Sequence, residues 1–461
     1  MEEKNQSLFD RFNNWLRESV MIKLVSIAIL VLLLLIPAAW VQSIMEERQM
    51  RVEEAFREVS GKWSDAQSVT GPVLVLPYIK TYSINSRQPG GDVITEIKTV
   101  TERAYFLPEN LKINAELDPL ILNRGIFDVV VYNSRIAMNG NFSKPNLDAL
   151  DIDTAQVKWN EAYLMFGLTD LRGIGETPVL KFNEKVYTSE PHTEEFRTNE
   201  YYNVFNRSIA SKIDINQEAD NFSFTMNYAL KGSGKLYFLP MGKSTSVDLS
   251  GDWGNPSFDG FYLPETRDVT NESFAATYNV LNFNRPFPQQ WINSPPAIHE
   301  TAFGVNLIMP VDQYQKSIRT AKYGVLIILL TFVSLFLIEL ICKIRIHPFQ
   351  YVLIGAALIV YYTLLLSISE QIGFNNSNLI ATIDTVALIS FYSISFTGKK
   401  NISALLSFLL LIFYGYIFII TQQQDYALLL GSIGLFIIIA VLMYVSRKIN
   451  WYSDHEIKPA L

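Results

Sequence analysis

The stretch YGVLIILLTFVSLFLIELI, residues 323–341, is almost wholly apolar, and its only charged residue is Glu339. This stretch shows that half of the fold is a membrane-spanning part. An α-helix of about 20 apolar residues is long enough to cross the ~30 Å hydrocarbon core of a bilayer. Five other apolar runs have a similar length, at residues 22–44, 348–367, 379–396, 402–421 and 427–446. The sequence therefore predicts six transmembrane helices, of which the last five form a bundle over residues 321–446.

The first apolar run has two interpretations. Basic residues before the run and small residues after Pro37 also fit a cleaved signal peptide. However, the run is longer than the apolar region of a signal peptide, and an amphipathic helical pattern follows it directly. We therefore interpret residues 22–44 as an uncleaved anchor.

Charged residues avoid the second part of the chain. Only 13 of the 83 Lys, Arg, Asp and Glu residues lie in the 139 positions from Tyr323 to Leu461, and the mean hydropathy of the whole chain is +0.16. Such a chain is not a cytosolic enzyme. Lys and Arg occur in alternate short loops, and basic loops remain in the cytoplasm. This predicts a cytoplasmic N-terminal segment 1–21, a cytoplasmic tail 447–461 and an external domain 45–320.

Within the external domain, the spacing of apolar residues changes from that of a helix to the alternation of a β-strand. Val52, Phe56, Val59 and Trp63 form a helical stripe that predicts a stalk helix capped by Gly61. From residue 71 onward apolar and polar residues alternate, most clearly at 111–117 and 222–230. Alternation indicates strands with one buried face. The fold class predicted is an α+β membrane protein with an antiparallel β-sandwich between spans one and two.

A repeated motif raises the question of duplication. YFLP occurs at 105–108 and again at 237–240, and a weaker YLP follows at 262–264. Two duplicated β-lobes would explain the repeat, but matched strand ends in a single sheet system would explain it as well. Both alternatives remain open at this point.

Composition argues against several kinds of ligand. Residues 42–322 carry 27 basic and 35 acidic residues, which gives no basic surface for nucleic acid. Cys342 is the single cysteine, and the four histidines stand far apart, so neither a disulfide nor a zinc site is expected. Familiar hydrolase, phosphate-loop and metalloprotease motifs are missing from the sequence. We predict no catalytic residues, no metal and no cofactor.

Two places could nevertheless carry function. Asp170 and Arg172 flank a turn that could approach an anion, although a salt-bridged turn explains the pattern better. Charged groups within membrane spans are costly and usually have a purpose. Glu339 could reach the cytoplasmic interface or pair with Lys343, while Glu370 is expected to be solvated at an external helix end.

Asp384 is the best candidate in the spans for ion or proton relay. It lies about a turn and a half inside the external end of the fourth apolar run, in which no proline interrupts the helix. The alternative is a structural role, in which hydroxyl groups of Thr382, Thr385 or Ser390 hydrogen-bond to its carboxylate. Broken helices are typical of transport pathways. Their absence from the sequence disfavours a transporter.

Several motifs resemble the CreD family of bacterial inner-membrane proteins, over essentially the whole chain from the first span onward. Those near the membrane are PVDQY at 310–314, AKYG at 321–324, HPFQY at 347–351, LLLSISE at 364–370, YALLLGS at 426–432 and NWY at 450–452. Those in the external half are RGIG at 172–175, PSF at 256–258 and LP at 263–264. The resemblance implies a bacterial inner-membrane protein of cell-envelope integrity, with the external domain in the periplasm. Relatives are induced by a two-component system and affect colicin tolerance and β-lactam-related phenotypes.

Three functional hypotheses follow. The preferred one is a protein without catalysis that presents its periplasmic domain to an envelope protein or cell-wall component, with membrane lipids as its other partner. The second is a transporter or channel that uses Asp384 and Glu339. The third is a membrane-tethered periplasmic sensor, which the short cytoplasmic segments disfavour. The sequence predicts no oligomeric state.

Overall fold

The computed structural model describes residues 20–87, 93–193, 204–307, 312–423 and 426–447. The chain divides into two compact units: a helical unit, residues 1–52 and 311–461, and a β unit, residues 53–310. Most of the predicted cytoplasmic segments 1–21 and 447–461 lies outside the described residues, as do the start of the PVDQY motif and the NWY motif.

Seven α-helices are described, and six of them are long and apolar enough to cross a membrane. The helices are α1 (Val20–Trp63), α2 (Asp312–Lys322), α3 (Gly324–Cys342), α4 (Pro348–Ile372), α5 (Phe374–Thr397), α6 (Lys400–Gln422) and α7 (Ala427–Ser446). The short helix α2 is the exception. The predicted number of six spans is confirmed.

Helix α1 is a single helix of 44 residues that includes both the first span and the predicted stalk. Its last residue is Trp63, so the prediction that Gly61 caps the helix is wrong. Gly61 is an ordinary helical residue, with no positive φ. An arginine side chain from elsewhere in the chain satisfies its carbonyl group instead, as described below.

Helices α3 to α6 pack closely around a buried apolar core. Its centre includes Ile327, Phe332, Leu358, Tyr361 and Leu410. Helix α7 differs, because no residue in it is buried. It is held at the edge by the hydroxyl of Tyr416 on α6, which donates to the carbonyl oxygens of Leu430 (3.0 Å) and Gly431 (3.2 Å).

The turn between α4 and α5 is a single residue, Gly373, with φ +82°. Glycine adopts this φ without a side-chain clash. As a result, most of the loop expected between spans three and four is helical, and α5 begins at Phe374 rather than near residue 379. Asp384 consequently lies deeper in its helix than the sequence indicated.

The β unit contains seventeen described strands in two sheets. The strands are β1 (Gln67–Arg87), β2 (Val93–Phe106), β3 (Asn110–Arg124), β4 (Phe127–Ser143), β5 (Tyr163–Leu168), β6 (Val179–Phe182), β7 (Lys185–Thr188), β8 (Glu190–His192), β9 (Ser208–Lys212), β10 (Asn221–Ser233), β11 (Lys235–Phe238), β12 (Ser244–Gly251), β13 (Pro256–Gly260), β14 (Thr266–Val269), β15 (Phe274–Leu281), β16 (Gln290–Ile292) and β17 (Phe303–Leu307).

The nine-stranded sheet has the order β13-β17-β11-β1-β5-β9-β8, with β2 pairing both β1 and β16. The eight-stranded sheet has the order β14-β15-β12-β3-β4-β10-β6-β7. All pairs are antiparallel except β1 with β11 and β3 with β12. The predicted α+β membrane fold with a β domain between spans one and two is confirmed, but the expectation of a wholly antiparallel domain is wrong at these two pairs.

One continuous apolar core lies between the two sheets. The residues that alternate in the sequence point into it, including Ile113, Leu117, Phe224 and Met226, all at most 2% exposed. Their polar neighbours in β3 and β10 lie on the outer face of the eight-stranded sheet. The twofold period therefore reports correctly which side chains form the core.

The repeated YFLP motif belongs to one sandwich and not to two lobes. Each copy ends a strand of the nine-stranded sheet, β2 or β11, after which the chain continues in the eight-stranded sheet. The next strands, β3 and β12, then pair in parallel, with Asn110 opposite Ser244. At each copy of the repeat, the chain thus passes from the nine-stranded sheet to the eight-stranded sheet of the same sandwich.

Candidate functional site

The first candidate, Asp170 and Arg172, lies where α1 meets the sandwich. Asp170 precedes the short turn Leu171–Gly173, and its buried carboxylate accepts hydrogen bonds from the backbone N–H (3.1 Å), Nε (3.0 Å) and Nη2 (2.7 Å) of Arg172. The backbone N–H of Asp65 (3.1 Å) and the hydroxyl of Ser64 (3.3 Å) donate to the same carboxylate.

Arg172 directs its remaining donors to groups of the same chain. Its Nη1 donates to the carbonyl of Gly61, in the last turn of α1, and its Nη2 donates to the carboxylate of Asp65 at 3.2 Å. A basic side chain at this position satisfies a carbonyl that has no partner within the helix. The structure therefore shows the salt-bridged turn, and these bonds within the chain give anion binding by Arg172 no support.

Two neighbouring residues complete this cluster. The side-chain amide of Gln67 donates to Ser64 Oγ (2.8 Å) and to the carbonyl oxygens of Asp170 (2.8 Å) and Lys231 (3.1 Å). A Cβ atom on Gly173 would lie 2.3 Å from the carbonyl oxygen of Lys231, so only glycine fits. We call Ser64, Asp65, Gln67, Asp170 and Arg172 the clasp, because within the β unit they hold the end of α1 against the sandwich.

The electrostatics of the clasp keep Asp170 ionised. Burial alone would raise the pKa of this carboxyl group, but the hydrogen bonds from Arg172 and from the backbone of Asp65 outweigh burial and lower the pKa to about 2. The pKa of Arg172 is raised by the hydrogen bond and the charge of Asp170. Both groups are charged at neutral pH, and each also bonds to other groups of the clasp or of α1.

Glu339, the second candidate, is a buried ion-pair residue in α3. The ammonium group of Lys23 on α1 bonds to its Oε1, the backbone N–H of Ile346 donates to Oε1 at 3.1 Å, and the hydroxyl of Tyr351 donates to Oε2 at 3.3 Å. Glu339 is 4% exposed. The predicted partner Lys343 is wrong, because this residue ends α3 with a left-handed backbone (φ +52°) and Lys23 forms the pair.

Glu370, which was expected to be solvated, also has partners. Its carboxylate accepts a hydrogen bond from the hydroxyl of Tyr314 (3.1 Å) and lies 3.7 Å from Nε of Arg48. The side chain is 11% exposed. Two of the three acidic side chains in the described spans thus have donors within the helical unit.

Asp384, the third acidic side chain, is different. It is exposed on α5, and within the described residues it has no hydrogen bond or ion pair. The expected hydroxyl partners do not serve it, because Thr382 and Thr385 are buried in the bundle and Ser390 bonds with Ser407 at 2.5 Å. The structure does not bring Asp384 and Glu339 together, so a relay through both has no geometrical support.

A further candidate, which the sequence analysis missed, is a groove on the outer face of the eight-stranded sheet. Two adjoining depressions of about 660 and 700 Å³ share Glu116, Arg135, Glu176, Ala229 and Ser250. Neighbouring strands align these side chains, with Ser250 opposite Glu116 and Glu116 opposite Arg135. We call this surface the sheet groove.

The sheet groove is more acidic than basic. Its lining contains Glu116, Asp118, Glu176, Asp248 and Asp252 but only two basic residues, Arg135 and Lys231. Arg135 lies 3.7 Å from Glu116, whereas Asp118, Glu176 and Asp252 have no ion pair within the described part of the chain. The polar positions of β3 and β12 were visible in the sequence, but which strands lie side by side was not.

The described residues do not provide what a metal site requires. Nowhere among them do three His, Cys, Asp or Glu side chains come together as metal ligands would. The sheet groove offers hydrogen-bonding groups and charges on paired strands.

These features define a class: a multi-pass membrane protein in which a large β-sandwich is inserted between the first and second membrane-spanning helices. A family model described as "Inner membrane protein CreD" matches residues 19–452. The chain belongs to the CreD family. It is 28% identical over 440 residues to inner membrane protein CreD of Escherichia coli (strain K12), which covers 94% of this chain and 93% of the relative.

A solved structure of a protein assigned to nutrient binding in Legionella pneumophila also shows a weak likeness. The two sequences are 7% identical, and the alignment covers 48% of this chain and 82% of the Legionella chain, with a TM-score of 0.23. The agreement is too low for any structural conclusion.

Proposed function

We propose that this CreD-family protein supports cell-envelope integrity without catalysis, by binding a polar envelope component with its β-sandwich in the periplasm. The sheet groove is the observation that carries the proposal. It is wide, lies on rigid paired strands and offers carboxylates that have no counter-charge in the described chain. An amino-bearing cell-wall component or a basic segment of an envelope protein has the complementary chemistry.

The helical unit serves as an anchor in this proposal. The charges of Glu339 and Glu370 have partners in the helical unit. A charge that is paired in this way has a structural role and is not available to a transported ion. The membrane-spanning helices contain one proline beyond the first turn, Pro37 in α1, and no broken helix among the described spans. These features favour anchoring over transport.

Reversing groove charges tests the proposal. In the full-length protein, replacing Asp118, Glu176 and Asp252 together by Lys should abolish the envelope phenotype, because the groove would repel a cationic ligand. The three side chains are exposed and unpaired in the described chain, so the fold should persist at normal membrane levels. Resistance to colicin and to β-lactams in a strain that lacks the native copy provides the measurement.

The matched control reverses three exposed acidic residues outside the groove, Glu96, Glu184 and Glu218. This control should retain the phenotype. If both triple variants behave like the unmodified protein, the sheet groove is not the binding surface.

The orientation is a second testable part of the proposal. Lys343 and Arg345 follow α3, and Lys399 and Lys400 lie between α5 and α6, which favours cytoplasmic termini and a periplasmic β-sandwich. In whole cells, cysteines at Asn141, Asn376 and Gln423 should react with an impermeant thiol reagent in a Cys342→Ser background. A cysteine at Asn401 should react only after permeabilisation. Labelling at 401 in intact cells would reverse the topology.

A further inference from the structure

Asp384 has no hydrogen-bond donor among the described residues, unlike Glu339 and Glu370. Glu339 receives donors from Lys23 and Tyr351, and Glu370 receives one from Tyr314. Asp384 receives none from the described chain and faces away from the neighbouring helices. A donor for this carboxyl group must therefore come from outside the described part of the chain.

The depth of Asp384 makes the absence of a donor costly. The residue lies ten positions after Phe374 and thirteen before Thr397, or roughly 15 and 20 Å from the two ends of α5 at about 1.5 Å per residue. A bilayer core is ~30 Å thick, so the carboxyl group lies near its middle. Lipid tails provide no hydrogen-bond donor there.

The residues around Asp384 form a helix-pairing surface. Ile380, Asp384, Ala387, Phe391 and Ile394 follow one another at spacings of 4, 3, 4 and 3, the heptad spacing of a left-handed coiled coil. Ile380, Phe391 and Ile394 are 40%, 76% and 37% exposed. We call these five residues the α5 seam.

The opposite side of α5 faces the bundle. Ala381, Thr385 and Ile389 on that side are at most 3% exposed. The α5 seam is therefore the free surface of a helix whose other surface is already packed. Its heptad spacing and its polar residue indicate a second helix at the same depth.

We propose that the α5 seam binds the α5 seam of a second copy of this chain. Both copies have the same orientation in the membrane, so a twofold axis along the membrane normal brings the two seams together. The small side chain of Ala387 allows the backbones to approach closely. Asp384 then faces its counterpart, as a polar residue at a heptad core position does when it fixes register and oligomeric state.

The chemistry of a carboxyl pair makes the seam self-complementary. A carboxyl group that carries its proton both donates and accepts a hydrogen bond, so two facing Asp384 side chains can satisfy each other. A foreign helix would need a basic or amide residue at this depth. The second copy supplies the required group without any additional partner, which is why we favour it.

Disulfide crosslinking of the full-length protein in its native membrane tests the contact. In a Cys342→Ser background, Ala387→Cys should crosslink two copies under mild oxidation. Phe408→Cys is the matched control, because Phe408 is 60% exposed on α6 but lies outside the seam. It should remain uncrosslinked.

Dimer affinity in lipid vesicles, measured by energy transfer between labelled copies, tests the role of the carboxyl group. Asp384→Leu should weaken dimerisation roughly three- to thirtyfold, the range expected for a polar contact between membrane helices. Asp384→Asn can still donate and accept, so it should stay within about twofold of the unmodified protein.

Three results would overturn the inference. One is a protein that remains monomeric in vesicles at all lipid dilutions. Another is equal crosslinking at 387 and 408. The last is a crosslink from position 387 only to a different protein, which would assign the seam to a foreign membrane helix.

Discussion

Replacement of Asp170 by Ala is expected to destabilise the β unit by about 2–3 kcal/mol, because several donors lose their acceptor. The cost is below that of a wholly buried ion pair, since the side chain of Arg172 is 54% exposed and water screens its charge. Asp170 is buried and accepts hydrogen bonds from the backbone and side chain of Arg172 and from Ser64 and Asp65. The buried hydroxyl of Ser64 would lose this acceptor, whereas the guanidinium group of Arg172 would be partly compensated by water. Denaturation of the full-length protein in detergent, followed by tryptophan fluorescence, measures the change in free energy of unfolding.

The control for this prediction is an ion pair in water. Lys185 and Asp214 lie 3.0 Å apart with side chains 68% and 75% exposed. Asp214→Ala should leave the free energy of unfolding nearly unchanged, because exposed pairs contribute little. If Asp170→Ala costs no more than this control, the clasp does not stabilise the junction of α1 and the sandwich.

The clasp also predicts a pH dependence at its acidic end. The pKa of Asp170 in the folded protein is lowered to about 2. A group whose pKa is lower when folded stabilises the protein above its unfolded pKa, near 3.9, and loses that contribution as pH falls toward 2. Asp170→Asn should flatten the fall in stability between about pH 4 and pH 2. An unchanged pH profile would contradict the assignment.

The second large effect is expected at Glu339. Glu339→Ala removes the counter-charge of Lys23 and the acceptor of the Tyr351 hydroxyl and the Ile346 N–H. Lys23 is 35% exposed, so we expect about 2–4 kcal/mol, less than for a wholly buried pair. Thermal unfolding of the purified protein in lipid nanodiscs provides the measurement.

A double substitution separates the ion pair from the other contacts. Lys23→Met with Glu339→Met removes both charges together and should be less destabilising than Glu339→Ala alone. If the effects of the two single Met substitutions simply add, Lys23 and Glu339 do not interact in the membrane.

Local sequence pattern was sufficient for the elements but not for their partners. Apolar runs locate spans because bilayer thickness sets their length, and alternation in β3 and β10 identifies the buried side chains because the strand period is two. The Lys23–Glu339 pair joins residues 316 positions apart, and no local period reports it. The sequence pointed to Lys343 as the partner of Glu339 because Lys343 lies four residues later in the chain. However, the left-handed backbone of Lys343 ends helix α3.

The candidate sites also differ in how far they could be predicted from local sequence. The salt-bridged turn at Asp170 and Arg172 could be predicted because both residues lie within one turn. The sheet groove could not, since it depends on β12 lying beside β3 and on β10 lying beside β4, pairings set by the path of the whole chain. Asp384 was identified as unusual from its position in an apolar run, but which side of α5 it occupies became clear only from the packing of Thr385 and Ile389.

The most direct test of the account compares two full-length variants at equal membrane abundance in a strain that lacks the native copy. One variant carries the groove substitutions Asp118→Lys, Glu176→Lys and Asp252→Lys, and the other carries Lys23→Met with Glu339→Met. If the β-sandwich performs the function and the bundle anchors it, envelope resistance is lost in the first variant and retained in the second. Retention in the first with loss in the second would contradict the account and place the function in the membrane helices.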